Sequence, residues 1–163
     1  TEYVATMVGI PYDNYYAWAS VYPLDVWISL LDKSAAGFEQ GVDLLRQAYK
    51  MAKGKYREKV EQQLNRAEAV RIHLKSSAVQ TRFFEARNRY KMSKDDKVRE
   101  QCKRAMREAC VEEQTLIRQM LPVVSKDSSI AFESSNQYFY LTADLVEAYV
   151  SICYALRQID NEM

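Results

Sequence analysis

The sequence predicts an all-α protein: an up-down bundle of three long helices and a shorter fourth, preceded by an aromatic-rich N-terminal arm. Two observations carry that expectation. All four glycines fall at or before Gly54 and the prolines stand at 11, 23 and 122, which leaves long uninterrupted runs of good helix formers. Within those runs apolar residues recur at spacings of three and four, the period of one helix face, rather than at the two-residue period of a strand. At 163 residues, 48% of them apolar and 28% charged, the chain suffices for one domain with a buried core.

Each element follows from local signals. Pro23 suits a first helical turn, and the first helix runs from there to about Lys53, with Gly54 past its end. Its buried stripe is Trp27, Leu31, Phe38, Val42, Leu45, Tyr49 and Ala52. Gly37 and Gly41 interrupt this helix, as expected where another helix comes close. The second helix spans about Tyr56 to Met92, with Val60, Leu64 and Ala67 on one stripe and Ile72, Val79, Phe83, Ala86 and Tyr90 on a rotated one. Such a drift suits a helix with several neighbours. Ser93 with Asp96 resembles a capping signal for the third helix, whose inner face is Val98, Cys102, Ala105, Ala109, Leu116 and Met120. Pro122 should end or kink it. Thr142 serves as N-cap of the fourth helix, which points Leu145, Tyr149, Ile152 and Leu156 inward. Short connections near Gly54 and Ser93 make consecutive helices antiparallel neighbours.

The first 22 residues differ in character, with Tyr12, Tyr15, Tyr16, Trp18 and Tyr22 clustered after Gly9 and Pro11. They form an extended or short-helical arm, or a linker from a preceding domain, and residues 23–163 form the bundle. The opening at Thr1, with no Met, charged n-region or cleavage pattern, reads as part of a longer protein.

Several function classes lose support at this level. Net charge is +1 and no apolar run reaches the roughly 20 residues a membrane span needs. No glycine-rich phosphate loop, GxSxG, CxxC or HExxH motif occurs. The single histidine, His73, follows Val70 by three, so the Glu-x-x-His pairs of a di-iron bundle are missing and no metal or other cofactor is expected. His73 reads as a hydrogen-bonded residue on a packed helix. Cys102 and Cys110 lie about 12 Å apart along one helix and cannot pair with each other; a bond from either to Cys153 stays open, and the favoured reading is three small buried apolar groups. From Arg82 to Arg107 ten Lys/Arg face four Asp/Glu, an excess of +6. Interleaved acids and the lack of an aromatic stacking pattern favour a solvated hairpin tip over a nucleic-acid surface.

Two stretches hold the residue types that bind sugars, flat aromatic faces beside hydroxyl-bonding amides and carboxylates. In "IAFESSNQYFY", residues 130–140, these are Glu133, Asn136, Gln137, Tyr138 and Tyr140; in the arm they are Tyr12, Asp13, Asn14, Tyr15, Tyr16 and Trp18. The plainer reading is a loop that seals a bundle end with aromatics and satisfies its own backbone with Asn and Ser.

"IAFESSNQYFYLTADLVEAYVSICYAL" resembles a C-terminal segment of large bacterial glycoside-hydrolase-like proteins, in which a barrel domain precedes a helical one, and "AEAVRIHLKSSAVQTRFFEARNRY" resembles a helix of the same region. The resemblance covers roughly a third of the chain. It implies a helical region packed beside a carbohydrate-active catalytic domain in a periplasmic or secreted protein. The family loop Ser-Asn-His-Tyr-Tyr/Phe-Tyr maps onto Ser135, Asn136, Gln137, Tyr138, Phe139 and Tyr140, with Gln137 in place of the histidine. A hydrogen-bonding role at that position survives the change and a proton-transfer role does not. Glycoside hydrolysis needs two positioned carboxylates, and only Glu133 has a suggestive context. The expectation is therefore a non-catalytic accessory domain whose partners are the preceding catalytic domain and carbohydrate. The alternative is a helical protein-interaction module with no glycan role.

Overall fold

The computed structural model describes residues 14–131 and 140–161; residues 1–13, 132–139 and 162–163 lie outside the described set. Among the described residues there are five α-helices and no strand: α1 (Tyr15–Ala19), α2 (Leu24–Met51), α3 (Lys55–Met92), α4 (Asp96–Lys126) and α5 (Thr142–Asn161), with a 3-10 turn at Ser128–Ala131 before α5. The fold class and the three long helices with a shorter fourth are as the sequence predicts. α3 packs between α2 and α4, and α5 packs on α4. The short α1, capped by the Asn14 side chain accepting from the Ala17 amide at 3.2 Å, rests on α2 and α3.

The ends of the helices refine the sequence reading. Gly54 adopts φ 55°, a left-handed backbone that glycine enters without the Cβ penalty, and this turns the chain from α2 into α3. The cap of α4 is Asp95 rather than a Ser93/Asp96 pair: Asp95 Oδ1 accepts from the Lys97 amide at 2.8 Å, and Ser93 Oγ accepts from the Asp95 amide at 3.1 Å. Thr142 is the first helical residue of α5 and not its cap; Leu141 holds that place, and its amide donates to Asp144 Oδ2 at 3.2 Å. Pro122 lies inside α4, which continues to Lys126. Its ring costs the helix one donor, yet Val123 and Val124 beyond it are buried, so packing outweighs the missing bond.

The core lies among α3, α4 and α5. One cluster joins Ile72 and Val79 to Leu116, Met120 and Leu145. A second joins Ala86 and Tyr90 to Cys102, Met106, Cys110 and Ile159. Ala105, expected inside, is exposed, and the wholly buried Met106 takes its place. On α2 only Ala35 and Val42 are fully buried, and Phe38, expected in the stripe, is exposed. Among the described residues no helix covers the α2 glycines: a Cβ on Gly37 or Gly41 would meet none of their atoms within 4 Å.

Charge fastens α2 where apolar contact is thin. Arg46 donates to Asp43 at 2.7 Å, to Glu39 at 3.0 Å and to Glu68 of α3 at 2.5 Å. Although burial works against the charge, these carboxylates raise the Arg46 pKa above its ordinary value. Arg82 grips Asp32 with bonds of 2.7 and 2.8 Å from one nitrogen and reaches Glu112 of α4 at 3.3 Å. The basic tip is largely occupied in the same way: Arg99 donates to Tyr90 Oη at 2.6 Å and stacks over its ring, and Arg107 meets Asp160 at 3.1 Å.

Candidate functional site

The polar cluster most enclosed by the fold is built where apolar periodicity is broken. On α4 the series Met106, Ala109, Glu113, Leu116, Met120 advances by three and four, and Glu113 is its one charged member. On α3 the series Ile72, Ser76, Val79, Phe83 does the same, with Ser76 as the polar member. The two helices bring these exceptions together. Ser76 Oγ donates to Glu113 Oε1 at 2.5 Å, and Gln80 Nε2 donates to the same oxygen at 3.2 Å. Among the described residues Glu113 Oε2 is buried with no hydrogen-bond partner.

Burial raises the Glu113 pKa, the bonds from Ser76 and Gln80 oppose that, and the Glu112 charge adds to the rise. The effect spreads to its neighbours. Burial first, and then the Glu113 charge, push the Cys110 thiol up to about 11 and the Tyr140 phenol up to about 12. Both shifts move these groups away from nucleophilic character. His73, at the rim, pairs its Nδ1 with Tyr140 Oη and meets the Tyr140 ring edge-on at 5.7 Å; burial of the packed side of its ring lowers its pKa.

Two adjoining clefts share Gln80, Glu113 and Ala148 as walls. One, of about 350 Å³, opens past His73 and Tyr140 toward Leu145. The other, of about 310 Å³, is more apolar and runs between Phe83, Phe84 and Ile152. A larger groove of about 720 Å³ lies on the other side, where Arg46, Glu68, Arg71 and Arg118 converge between α2 and α4 over α3. The guanidinium groups of Arg46 and Arg71 are already engaged there by Glu39 and Glu68. Among the described residues no group of three or more His, Cys, Asp or Glu stands where it could hold a metal ion.

The sugar-site candidates divide. Glu133, Asn136, Gln137 and Tyr138 lie outside the described residues, as do Tyr12 and Asp13. Tyr140 enters the cluster just described, on His73. Trp18 is half-buried, Tyr16 is exposed, and Tyr15 stacks on Phe84 with centroids 5.0 Å apart. His73 and Phe84 are eleven residues apart on α3, roughly 16 Å along its axis. The described parts of the two aromatic segments therefore anchor at different levels of the bundle. All three cysteines are free, with Cys102 and Cys110 buried as expected and Cys153 exposed. Sequence reasoning missed Glu113, Ser76 and Gln80, although a carboxylate inside an apolar series was a signal available in the chain. No family model, no curated protein and no solved structure matches this chain.

Proposed function

We propose that this chain is a non-catalytic helical accessory domain that packs through the outer face of α5 on the catalytic domain of a larger carbohydrate-active protein. The observation that carries the docking is the surface of α5. Its inner side buries Leu145 and Ile159, while Val146, Val150 and Tyr154, at four-residue spacing on the outside, remain 52%, 61% and 65% exposed. Water-facing apolar residues singly are ordinary, but an aligned stripe on a helix with few charges marks an interaction face. This helix follows directly on residues 130–140, so docking it would bring that loop to the neighbouring domain. The carbohydrate class of the neighbour rests on the resemblance of residues 130–156 to glycoside-hydrolase-like proteins. The shifts at Cys110 and Tyr140 agree with a packing and binding role, since neither group is activated for attack.

The test uses the parent polypeptide. Val150→Glu with Tyr154→Glu should free the neighbouring domain to rapid proteolytic separation while the helical domain keeps its own melting temperature. Alanine at Glu133, Asn136 and Tyr138 should weaken glycan binding or turnover with unchanged unfolding. Undiminished docking in the first variant would end the α5 reading, and unaltered glycan affinity in the second would leave an interaction domain without a sugar role.

A further inference from the structure

α3 and α5 flank a groove whose floor is α4. The two clefts that meet at Gln80, Glu113 and Ala148 are its halves, one of about 350 Å³ past His73 and Tyr140 and one of about 310 Å³ between Phe83, Phe84 and Ile152. Both are at the small end of the range for small-molecule sites. On the α5 side the wall is made of small residues, Ala148, Ser151 and Ala155, which leave the apolar half open. Ala148 and Ile152 follow Val146 and Val150 by two positions, roughly 200° around α5, so the groove is independent of the docking stripe.

The charges on the walls select an occupant. Among the described residues that line either cleft, Glu113 and Asp144 are the acids, and neither Lys nor Arg is present. The cations of nearby turns are held elsewhere: Lys75 and Arg82 pair with Glu112 and Asp32, and Arg87 stands over the Phe84 ring at 4.3 Å, at the end away from His73. His73, its pKa lowered by burial, adds no charge at pH 7. Ser76 and Gln80 both donate to Glu113 Oε1, while Oε2 has no partner among the described residues. A carboxylate therefore lines an apolar groove without a counter-cation, an arrangement that costs stability until one arrives.

We propose that this groove binds a small organic cation with an apolar body, an arylalkyl ammonium, whose nitrogen pairs with Glu113 and whose ring lies between Phe83, Phe84 and Ile152. The direction follows from the ends of the groove. Asp144 adds negative charge to the half past His73, whereas Arg87 would repel an ammonium at the Phe84 end. Aromatic side chains in the other half offer ring faces and edges to the apolar body. An apolar carboxylate would meet like charge at Glu113, and an apolar alcohol would leave that charge unpaired.

Titration of the chain with 3-phenylpropylammonium near pH 7, followed by amide chemical shifts, should give a dissociation constant of about 0.1–1 mM, as suits so small a ligand. The shifts should centre on residues 76–84, 113 and 148–155. 3-Phenylpropanoate, with the same body and the opposite charge, should bind at least tenfold more weakly, and 3-phenylpropanol should fall between them. Glu113→Gln should weaken the ammonium at least tenfold and the alcohol less than about twofold, with the helical circular dichroism unchanged. Ala148→Phe, at an exposed position, should exclude all three ligands by filling the groove without loss of helicity. No shift with the ammonium up to about 10 mM would overturn the proposal, as would undiminished affinity in Glu113→Gln or equal affinity for the carboxylate. Shifts confined to surface acids such as Glu100 and Glu108 would overturn it too, by marking unspecific cation binding.

Discussion

Glu113 concentrates the physics of this fold at the scale of one residue. It sits in the apolar seam between α3 and α4, where an uncharged side chain would pack at lower cost, and one of its oxygens has no partner among the described residues. A polar residue in such a seam stabilises one register, because a slip of the helices would bury Ser76 and Glu113 apart from each other. The penalty depends on pH. With its folded pKa raised above the ordinary 4.5, Glu113 contributes stability that is complete below that value and is lost as pH rises through the folded value. Glu113→Gln should therefore raise stability at pH 7 by about 1–3 kcal/mol, the range for a buried polar group left unsatisfied. The gain should shrink toward pH 4, as chemical denaturation across that interval would measure. A gain independent of pH would mean that burial does not raise the Glu113 pKa. The residue was legible in the sequence as a break in period, but its partner was not, since Ser76 and Glu113 meet only after two helices fold back on one another.

Among the elements, α3 and α4 were the most readable and α2 the least. α3 carries two rotated apolar stripes because it has neighbours on both sides, and the packing of α2 and α4 against it bears that out. On α4 the expected Ala105 gives way to Met106, a one-residue shift of face that sequence alone could not fix because both residues are good helix formers. Met106→Ala should cost about 2–5 kcal/mol as a core cavity, while Ala105→Ser should change stability by less than about 0.5 kcal/mol. On α2 the glycines were read as the seat of a neighbouring helix, and none of the described residues approaches them. Pro122 was read as a stop, and the burial of Val123 and Val124 beyond it carries the helix on. Pro122→Ala should restore the donor missing from the α4 ladder and raise unfolding free energy by up to about 3 kcal/mol. No gain would indicate that the packing of Val123 and Val124 already offsets the missing donor.

At the scale of the whole molecule, the described residues leave exposed apolar side chains on α2, among them Leu44 and Met51, and on α5, among them Val150 and Tyr154. The two apolar clusters lie among α3, α4 and α5, and α2 joins them through the buried Ala35 and Val42 together with ion pairs from Arg46 and Arg82. Short connections and helical period made the order of helices legible. Which faces remain uncovered was not, because the same apolar spacing describes a face turned to the core and a face turned to a partner. Hydrogen exchange tests the accessory-domain account most directly, by comparing this chain alone with the parent polypeptide. The account predicts that amides of residues 142–161 exchange at least tenfold more slowly in the parent, with α3 and α4 little changed. Equal exchange of α5 in both would contradict it.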